Sequence, residues 1–259
     1  MFYIFYYDKF YVVNYLKKIA HQDEMNSFLA QAEGKKNFEF LRMAMREHLN
    51  VDATFEGLEN LPPKDKRRYI FACNHPLGGL DGLLLGFKIG EMYDQKINFF
   101  SNDILMFLDP MKEMFIPINK TGAQTRENLR LVNEFYASNN HLVMFPAGKC
   151  SRKINGKVED LQWQKNFVVK AFEHKRDVIP IYFEGRNSNF FYNLSKIRTF
   201  FGLPNIEMMY LIDEMYKQRG KHFNVKIGEV IPYSTFDKSK KPLEWAEWVK
   251  RKVYDMRNK

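Results

Sequence analysis

Cysteine is scarce in this chain of 259 residues, in which only Cys73 and Cys150 occur. Two cysteines make no disulfide framework, so we expect a reducing cytoplasm and two thiols that serve as small buried packing residues. The six histidines are scattered along the chain without the spacing of metal ligands. The sequence therefore predicts neither a disulfide-stabilised fold nor a metal site.

Motifs of two common enzyme classes are also missing. The chain has no Gly-x-Ser-x-Gly elbow, and neither cysteine has an obvious base near it in the sequence. A hydrolase with a covalent nucleophile is therefore disfavoured. A phosphate-binding loop that ends in Gly-Lys-Ser or Gly-Lys-Thr is absent as well.

Long apolar runs are a further absence. No stretch of about eighteen uncharged apolar residues occurs, so we expect no membrane-spanning helix. Residues 1–16 are aromatic-rich but interrupted by charges, and they lack the basic lead and the small-residue cleavage site of a signal peptide. Followed by Lys17 and Lys18, they are typical of an interfacial membrane anchor. A helix or strand packed on the domain is the alternative.

The charge of the chain is strongly unbalanced. Lys and Arg outnumber Asp and Glu by 40 to 31, which gives a net charge of +9. This balance predicts an anionic partner, such as nucleic acid, an acidic membrane surface or a phosphorylated substrate. Aromatic residues make up 16% of the chain. That content favours an apolar groove or a membrane-contacting face over nucleic-acid stacking, although a compositional bias of the source genome would also explain it.

The stretch 69–82 carries the most information about function. It begins as an apolar run typical of a buried strand, breaks at Asn74 and His75, and passes a pair of glycines before a helix that opens with Asp81. Sites in open α/β sheets commonly lie outside the strand ends. A histidine placed there and oriented by a carboxylate can deprotonate a hydroxyl group. A turn histidine followed by a helix-capping aspartate is the simpler interpretation of this stretch alone.

Strands and helices alternate along the rest of the chain. This alternation predicts an α/β fold with one domain, in which a mainly parallel mixed sheet is flanked by helices. We expect residues 1–50 to form an aromatic, helical and membrane-associating lead-in, and residues 51–259 to form the main domain. A helix is predicted over 161–174. Pro180, inside a predicted strand over 178–184, indicates an edge strand or a bulge.

Three further segments follow the His75 stretch in a recognisable order. They are Phe-Ile-Pro-Ile-Asn-Lys at 115–120, Phe-Pro-Ala-Gly at 145–148 and Val-Ile-Pro-Ile at 178–181. Together with Asn74-His75 and Asp81, they resemble the four blocks of the glycerolipid acyltransferase (PlsC-like) family, whose members acylate lysophosphatidic acid and related lysolipids. The resemblance covers roughly residues 50–232, and it implies a PlsC-like acyltransferase fold for the main domain.

The His75 block has one departure from the common family pattern. Five residues separate His75 from Asp81, where that pattern has four, and the pair Gly78-Gly79 can absorb the additional residue because glycine adopts positive φ readily. The form Asn-His-Pro-Leu-Gly-Gly-Leu-Asp resembles a bacterial subgroup called haemolysin-like, some of whose members make amino-acid-based lipids.

The resemblance implies roles for individual residues. His75 takes the proton of the acceptor hydroxyl and Asp81 orients His75, with no covalent acyl-enzyme. The predicted substrate-binding residues are Asn74, Lys120, Gly122, Gly148, Ser151 and Arg152. Among these, Lys120 stands where the family usually has arginine, and with Arg152 it would hold the anionic head of the acceptor. Ala147 replaces a glutamate of the common block, as in the haemolysin-like subgroup.

The function implied by the resemblance is O-acyl transfer. A fatty acyl group would move from acyl carrier protein or coenzyme A to the hydroxyl of a lysolipid, and both a lysophosphatidate-like and an amino-acid lysolipid remain open as acceptors. We expect no bound cofactor and no nucleic-acid partner. We expect a peripheral, monotopic protein that contacts anionic lipid on the cytoplasmic face of the inner membrane. The alternative is a non-catalytic basic protein that binds lipid or nucleic acid.

Overall fold

The computed structural model of the chain describes residues 2–64, 68–102, 108–118 and 126–258. For residues 2–10, 101–102, 117–118 and 126–128 it describes the backbone only. Two of the predicted substrate-binding residues, Lys120 and Gly122, lie outside the described residues.

Seven of the described strands form one sheet. They are β1 (Asp52–Glu56), β2 (Tyr69–Cys73), β3 (Ile97–Asn102), β4 (Phe115–Ile118), β5 (His141–Met144), β8 (Asp177–Glu184) and β9 (His222–Ile227). Their order across the sheet is β1-β9-β8-β2-β5-β3-β4. Neighbouring strands are parallel except β9, which runs antiparallel to β8. The remaining strands, β6 (Arg152–Ile154) and β7 (Lys157–Glu159), form a separate antiparallel hairpin.

Helices connect the strands and cover the sheet. They are α1 (Phe2–Ile19), α2 (Gln22–Gln31), α3 (Asn37–Met43), α4 (Leu80–Met92), α5 (Arg126–Ala137), α6 (Asn166–Glu173), α7 (Asn189–Phe200), α8 (Leu211–Tyr216) and α9 (Pro242–Asp255). Together with the sheet order, they confirm the predicted class, a mainly parallel mixed sheet flanked by helices.

Strand β2 explains how the core is divided. All five of its residues are completely buried, and successive side chains of a strand point to opposite faces of the sheet. Tyr69, Phe71 and Cys73 accordingly join a core cluster on one face, while Ile70 and Ala72 join a second cluster on the other. A strand covered on both faces must be apolar at every position, which is why this segment reads as a continuous apolar run.

The predicted lead-in, residues 1–50, is helical where it is described. Phe28 of α2 and Leu41 of α3 are buried in the same cluster as β2 and α4, so the lead-in shares the core of the main domain. The boundary at residue 50 stays a prediction. Among the described helices, none combines the length and the apolarity that crossing a membrane requires.

Pro180 lies in an interior strand, so the edge alternative is wrong. Ile181 pairs with Ile227 and Val178 with Ile231, which leaves two residues between the pairs on β8 and three on the opposing segment. The additional residue makes a bulge opposite Pro180. The carbonyl of Pro180 accepts the Gly228 N–H at 2.9 Å, and its missing N–H leaves no ladder bond open.

The helix predicted over 161–174 begins only at Asn166. The residues before it turn inward, because Trp163 is completely buried. Its backbone N–H donates to Glu247 at 3.0 Å and its indole N–H donates to Asp160 at 2.8 Å. These two contacts, one local and one to the distant Glu247, replace the first turn and a half of the predicted helix.

Candidate active site

The site forms where three parallel strands end at one edge of the sheet. Strand β2 lies between β5 and β8, with Ala72 beside Met144 and Cys73 beside Ile181. The loops that follow these strands therefore emerge side by side. The loop after β2 carries His75, and the loop after β5 carries the Phe-Pro-Ala-Gly segment.

The imidazole of His75 contacts the carboxylate of Asp81. Nδ1 of His75 lies 3.1 Å from Oδ2 of Asp81, although five residues separate the two in the sequence. Gly78, within this loop, has φ +78°, a left-handed conformation that costs a glycine little. Of the glycine pair, only Gly78 uses this freedom, and the loop with the additional residue still brings His75 to Asp81.

Asp81 is held by four donors. It is completely buried; Oδ2 also accepts the Leu77 N–H at 2.9 Å, and Oδ1 accepts the Gly79 and Gly82 N–H groups at 3.1 and 2.9 Å. Burial raises the pKa of Asp81, but the nearby His75 and these backbone donors outweigh it, so the pKa lies below its ordinary value. Asp81 is therefore an anion at neutral pH.

An ionised Asp81 fixes the tautomer of His75. When Nδ1 donates its proton to the carboxylate, the lone pair remains on Nε2. The ring also stacks on Phe145, with centroids 4.0 Å apart and planes 24° from parallel. His75 keeps 16% of its side-chain area exposed. An oriented, partly exposed imidazole of this kind is suited to accept a proton from a bound hydroxyl group.

The side chain of Asn74 bonds to the neighbouring strand. Its Nδ2 donates to the Phe183 carbonyl at 2.9 Å, and its Oδ1 accepts the Phe183 N–H at 2.7 Å. The amide therefore continues the pairing of β2 with β8 beyond the last residue of β2. Its predicted contact with substrate stays a prediction, since the side chain is only 3% exposed.

Ser151 is buried against Asp160, a residue that the sequence analysis did not identify. The hydroxyl of Ser151 donates to Oδ1 of Asp160 at 2.5 Å. The same oxygen accepts the backbone N–H of His75 at 3.1 Å. Ser151 and Asp160 are each 1% exposed, so both act on the peptide of His75 from within the protein.

Arg152 belongs to a buried ionic cluster. Its guanidinium donates to Glu207 at 2.9 Å and to the Cys150 carbonyl at 2.7 Å. Arg198 donates to the same glutamate, whose side chain is completely buried. This environment favours a structural role for Arg152, and its predicted contact with the acceptor head stays a prediction.

Gly148 adopts φ +65°, and its N–H donates to the Phe145 carbonyl at 2.9 Å. This turn gives the loop after β5 its shape and explains why glycine occupies the position. The predicted role of Gly148 in substrate binding is not tested by this geometry.

Comparisons with known proteins identify the family. The chain matches the family model described as "Acyltransferase" over residues 6–259, nearly its whole length. The chain belongs to this acyltransferase family. The match confirms the predicted enzyme class, acyltransferase.

Two curated relatives of the acyltransferase carry the same name, lyso-glycine lipid O-acyltransferase. The protein of Phocaeicola vulgatus is 49% identical over 247 residues, which cover 95% of this chain and 88% of the relative. That of Bacteroides thetaiotaomicron is 48% identical over 247 residues, covering 95% of this chain and 90% of the relative. The crystal structure of the 1-acyl-sn-glycerophosphate (LPA) acyltransferase PlsC from Thermotoga maritima matches with a TM-score of 0.51 at 20% identity, covering 94% of this chain and 80% of that chain. This last likeness confirms the fold.

The two cysteines of the acyltransferase are buried, free thiols, as expected. Burial raises the pKa of both Cys73 and Cys150 well above the ordinary value. A thiol with a raised pKa yields little thiolate, which is the nucleophilic form. Neither cysteine is therefore suited to carry an acyl group.

Proposed function

We propose that this acyltransferase moves a fatty acyl group from a thioester to the hydroxyl of a lysolipid, with His75 as general base. The observation that carries the proposal is the contact between His75 Nδ1 and the buried anion Asp81 at a strand end. Two relatives named lyso-glycine lipid O-acyltransferase support the acceptor class.

The proposed reaction needs one base and no covalent intermediate on the enzyme. Nε2 of His75 takes the proton from the acceptor hydroxyl while the oxygen attacks the thioester carbonyl. The tetrahedral intermediate collapses, the C–S bond breaks, and the imidazolium returns the proton to the leaving thiolate. Asp81 stabilises the imidazolium during this cycle. The products are an ester and a free thiol.

We further propose a glycine-containing lysolipid as the preferred acceptor. A glycine head with a free carboxylate carries one negative charge there, whereas a phosphate monoester carries up to two. A single lysine suffices for one carboxylate, and Lys120 would supply a point charge where the family pattern has an arginine. The acyl donor is a thioester of either acyl carrier protein or coenzyme A, and assays with each thioester distinguish the two.

Acylation assays with the purified protein test these proposals. Lyso-glycine lipid and lysophosphatidate are offered separately, each with palmitoyl-acyl carrier protein or palmitoyl-coenzyme A, and the ester product is measured by mass spectrometry. We expect a higher kcat/KM for the glycine lipid. Equal or greater use of lysophosphatidate would refute the acceptor proposal. Absence of ester with every pair would refute the lysolipid proposal.

Peripheral binding to the cytoplasmic face of the inner membrane is part of the proposal, because the acceptor is a lipid. Helix α1 exposes a run of apolar side chains, followed by Lys17 and Lys18. The exposed apolar side chains are Tyr11 (64% exposed), Val12 (57%), Val13 (49%) and Tyr15 (50%). Apolar side chains with adjacent cations bind an anionic bilayer through burial and charge together.

Sedimentation with anionic vesicles tests the membrane proposal. We expect the triple substitution of Tyr11, Val12 and Val13 by serine to weaken binding, because it removes the apolar contribution. Phe172→Ser is the matched control, since Phe172 is 50% exposed on α6, away from this run. High salt should weaken wild-type binding only in part. If the triple variant binds as well as the wild type, α1 is not the anchor.

A further inference from the structure

The buried carboxylate of Asp160 accepts hydrogen bonds from three segments of the chain. Its Oδ1 accepts the His75 N–H at 3.1 Å and the Ser151 hydroxyl at 2.5 Å, and its Oδ2 accepts the Trp163 indole N–H at 2.8 Å. These donors come from the loop after β2, the loop after β5 and the segment before α6. A carboxylate with three donors in a site that is 1% exposed has no alternative partner in solvent.

The contacts around the His75 peptide close a ring. Ser151 N–H donates to the His75 carbonyl at 2.8 Å, while Asp160 receives both the His75 N–H and the Ser151 hydroxyl. The peptide of His75 is thus held at its N–H and at its carbonyl. Because the backbone sets the direction of the Cα–Cβ bond, these contacts fix the position and direction from which the His75 side chain extends.

Asp160 is itself anchored by the last helix. Its N–H lies 2.6 Å from the hydroxyl oxygen of Tyr254, and its carbonyl accepts from Lys250 Nζ at 2.9 Å. Both residues belong to α9, which packs on the sheet. Asp160 therefore connects the backbone of His75 to a helix that packs on the core. Burial raises the pKa of Asp160, and the hydrogen bonds from Ser151, His75 and Trp163 oppose that rise.

We propose that Asp160 is a positioning residue for His75, fixing its peptide while Asp81 orients its ring. The proposal rests on the proposed function for its effect on catalysis. Its effect on the geometry of His75 does not depend on which lipid is acylated. Asp160 touches no reacting atom, and it acts on the rate only by keeping His75 at the place from which Nε2 reaches the hydroxyl.

The test is Asp160→Asn, which preserves size and removes the charge and one acceptor oxygen. Misplacement of a catalytic group by about 1 Å can cost roughly a hundredfold in rate, so we expect kcat to fall by about tenfold to a hundredfold. The KM values of donor and acceptor should change by less than about twofold. The low-field proton resonance of the His75–Asp81 hydrogen bond, assigned by its loss in His75→Ala, should shift or disappear.

Glu214→Gln is the matched control. Glu214 is a completely buried carboxylate that accepts from a backbone N–H and a hydroxyl, both of Ser188 at 2.6 Å, and from Lys217 at 2.8 Å. It measures the structural cost of such a change at a carboxylate whose described hydrogen bonds do not involve His75. We expect it to lower the melting temperature as Asp160→Asn does, while kcat and the His75 resonance remain unchanged.

If folded Asp160→Asn has an unchanged kcat and an unchanged His75 resonance, the proposal is overturned. It is also overturned if Glu214→Gln changes kcat and the resonance as much as Asp160→Asn does. If Asp160→Asn does not fold, Ser151→Ala replaces it, because this variant removes one member of the ring and retains the carboxylate. A smaller change in the same direction is then expected, and no change would overturn the proposal. The resonance reports on His75 even if the protein acylates no lysolipid, so failure of the two proposals can be distinguished.

Discussion

Replacing Asp81 by asparagine tests the proposed role of the His–Asp pair most directly. The substitution keeps the shape of the side chain but exchanges one acceptor oxygen for an NH2 group in a completely buried position. At present His75 Nδ1 and the N–H of Leu77 share one carboxylate oxygen, and the N–H groups of Gly79 and Gly82 share the other. In either orientation of the new amide, its NH2 group faces two of these donors.

The energies decide which orientation forms. With the NH2 group toward the glycines, two backbone donors lose their acceptor, at a cost of about 1–3 kcal/mol each. With the NH2 group toward His75, only the Leu77 N–H loses its acceptor, because the imidazole can instead accept at Nδ1. The second orientation is cheaper, and it moves the ring proton to Nε2, where it blocks the base.

We therefore expect Asp81→Asn to lose about 1–3 kcal/mol of unfolding free energy and a far larger share of its activity. Loss of a general base costs about a hundredfold to ten-thousandfold, and the corresponding change in a serine-protease triad costs about ten-thousandfold through the wrong tautomer. The measurements are kcat at saturating substrates and the urea midpoint of unfolding.

Asp177→Asn is a suitable control, because Asp177 accepts the Tyr233 N–H at 2.9 Å at the opposite end of β8. It should show a small loss of stability and normal kcat. A folded Asp81→Asn variant with kcat near that of the wild type would refute the reasoning, because a buried amide at this position cannot leave His75 in the basic tautomer at no cost.

Other perturbations test the base, the packing and the charges separately. His75→Ala should lower kcat by about a hundredfold to ten-thousandfold with an unchanged circular dichroism spectrum, and near-normal turnover would exclude His75 as the base. Gly86→Ala should lower the melting temperature, because its Cβ would lie 1.8 Å from Phe99 Cζ; overpacking costs about 1–3 kcal/mol and outweighs the gain of about 1 kcal/mol in helix propensity. Adding Phe99→Leu should recover part of the loss, and an unaltered melting temperature in the single variant would show that the helix can shift. Burial raises the pKa of Glu207, but the interactions with Arg198 and Arg152 lower it by more than burial raises it. The pKa of Glu207 therefore lies below the ordinary value of 4.5. Its contribution to stability is therefore present at neutral pH and lost as the pH falls below about 4.5, so urea midpoints of Glu207→Gln should depend less on pH in that range than those of the wild type; parallel curves would contradict the assignment.

The architecture was predictable because its central strand β2 is apolar at every position and its neighbours are largely apolar. Residues 69–73 read as a buried strand, and the structure buries all five on both faces of the sheet. A helix after the glycine pair was also predicted, and the structure has it at Leu80–Met92. Local signals sufficed here, because burial on both faces and a flexible glycine turn leave direct traces in the sequence.

The segment 160–165 shows where local signals failed. Its residues fit the start of an amphipathic helix, yet the helix begins only at Asn166. Trp163 instead donates to Asp160 and to Glu247 of α9, a helix more than eighty residues further along the chain. The tertiary hydrogen bond to Glu247, together with the local one to Asp160, overrode helix propensity, which is a weak preference per residue. The contact between Asp160 and His75 uses the backbone N–H of His75, and a backbone partner leaves no pattern in the sequence.

Polar residues near the motif blocks also bond to the protein, because backbone groups there need partners. Where a strand ends inside the molecule, its last peptide groups lose their ladder partners and must find others. Asn74 and Asp160 supply such partners for Phe183 and His75. A pattern of residue types cannot separate these side chains from those that touch substrate, but burial can. His75 keeps part of its surface exposed, whereas the two supporting side chains are at most 3% exposed. Contacts with the acceptor are therefore expected from exposed side chains of the loops at this edge, and a polar residue in a motif block should be tested for burial before it is assigned to the substrate.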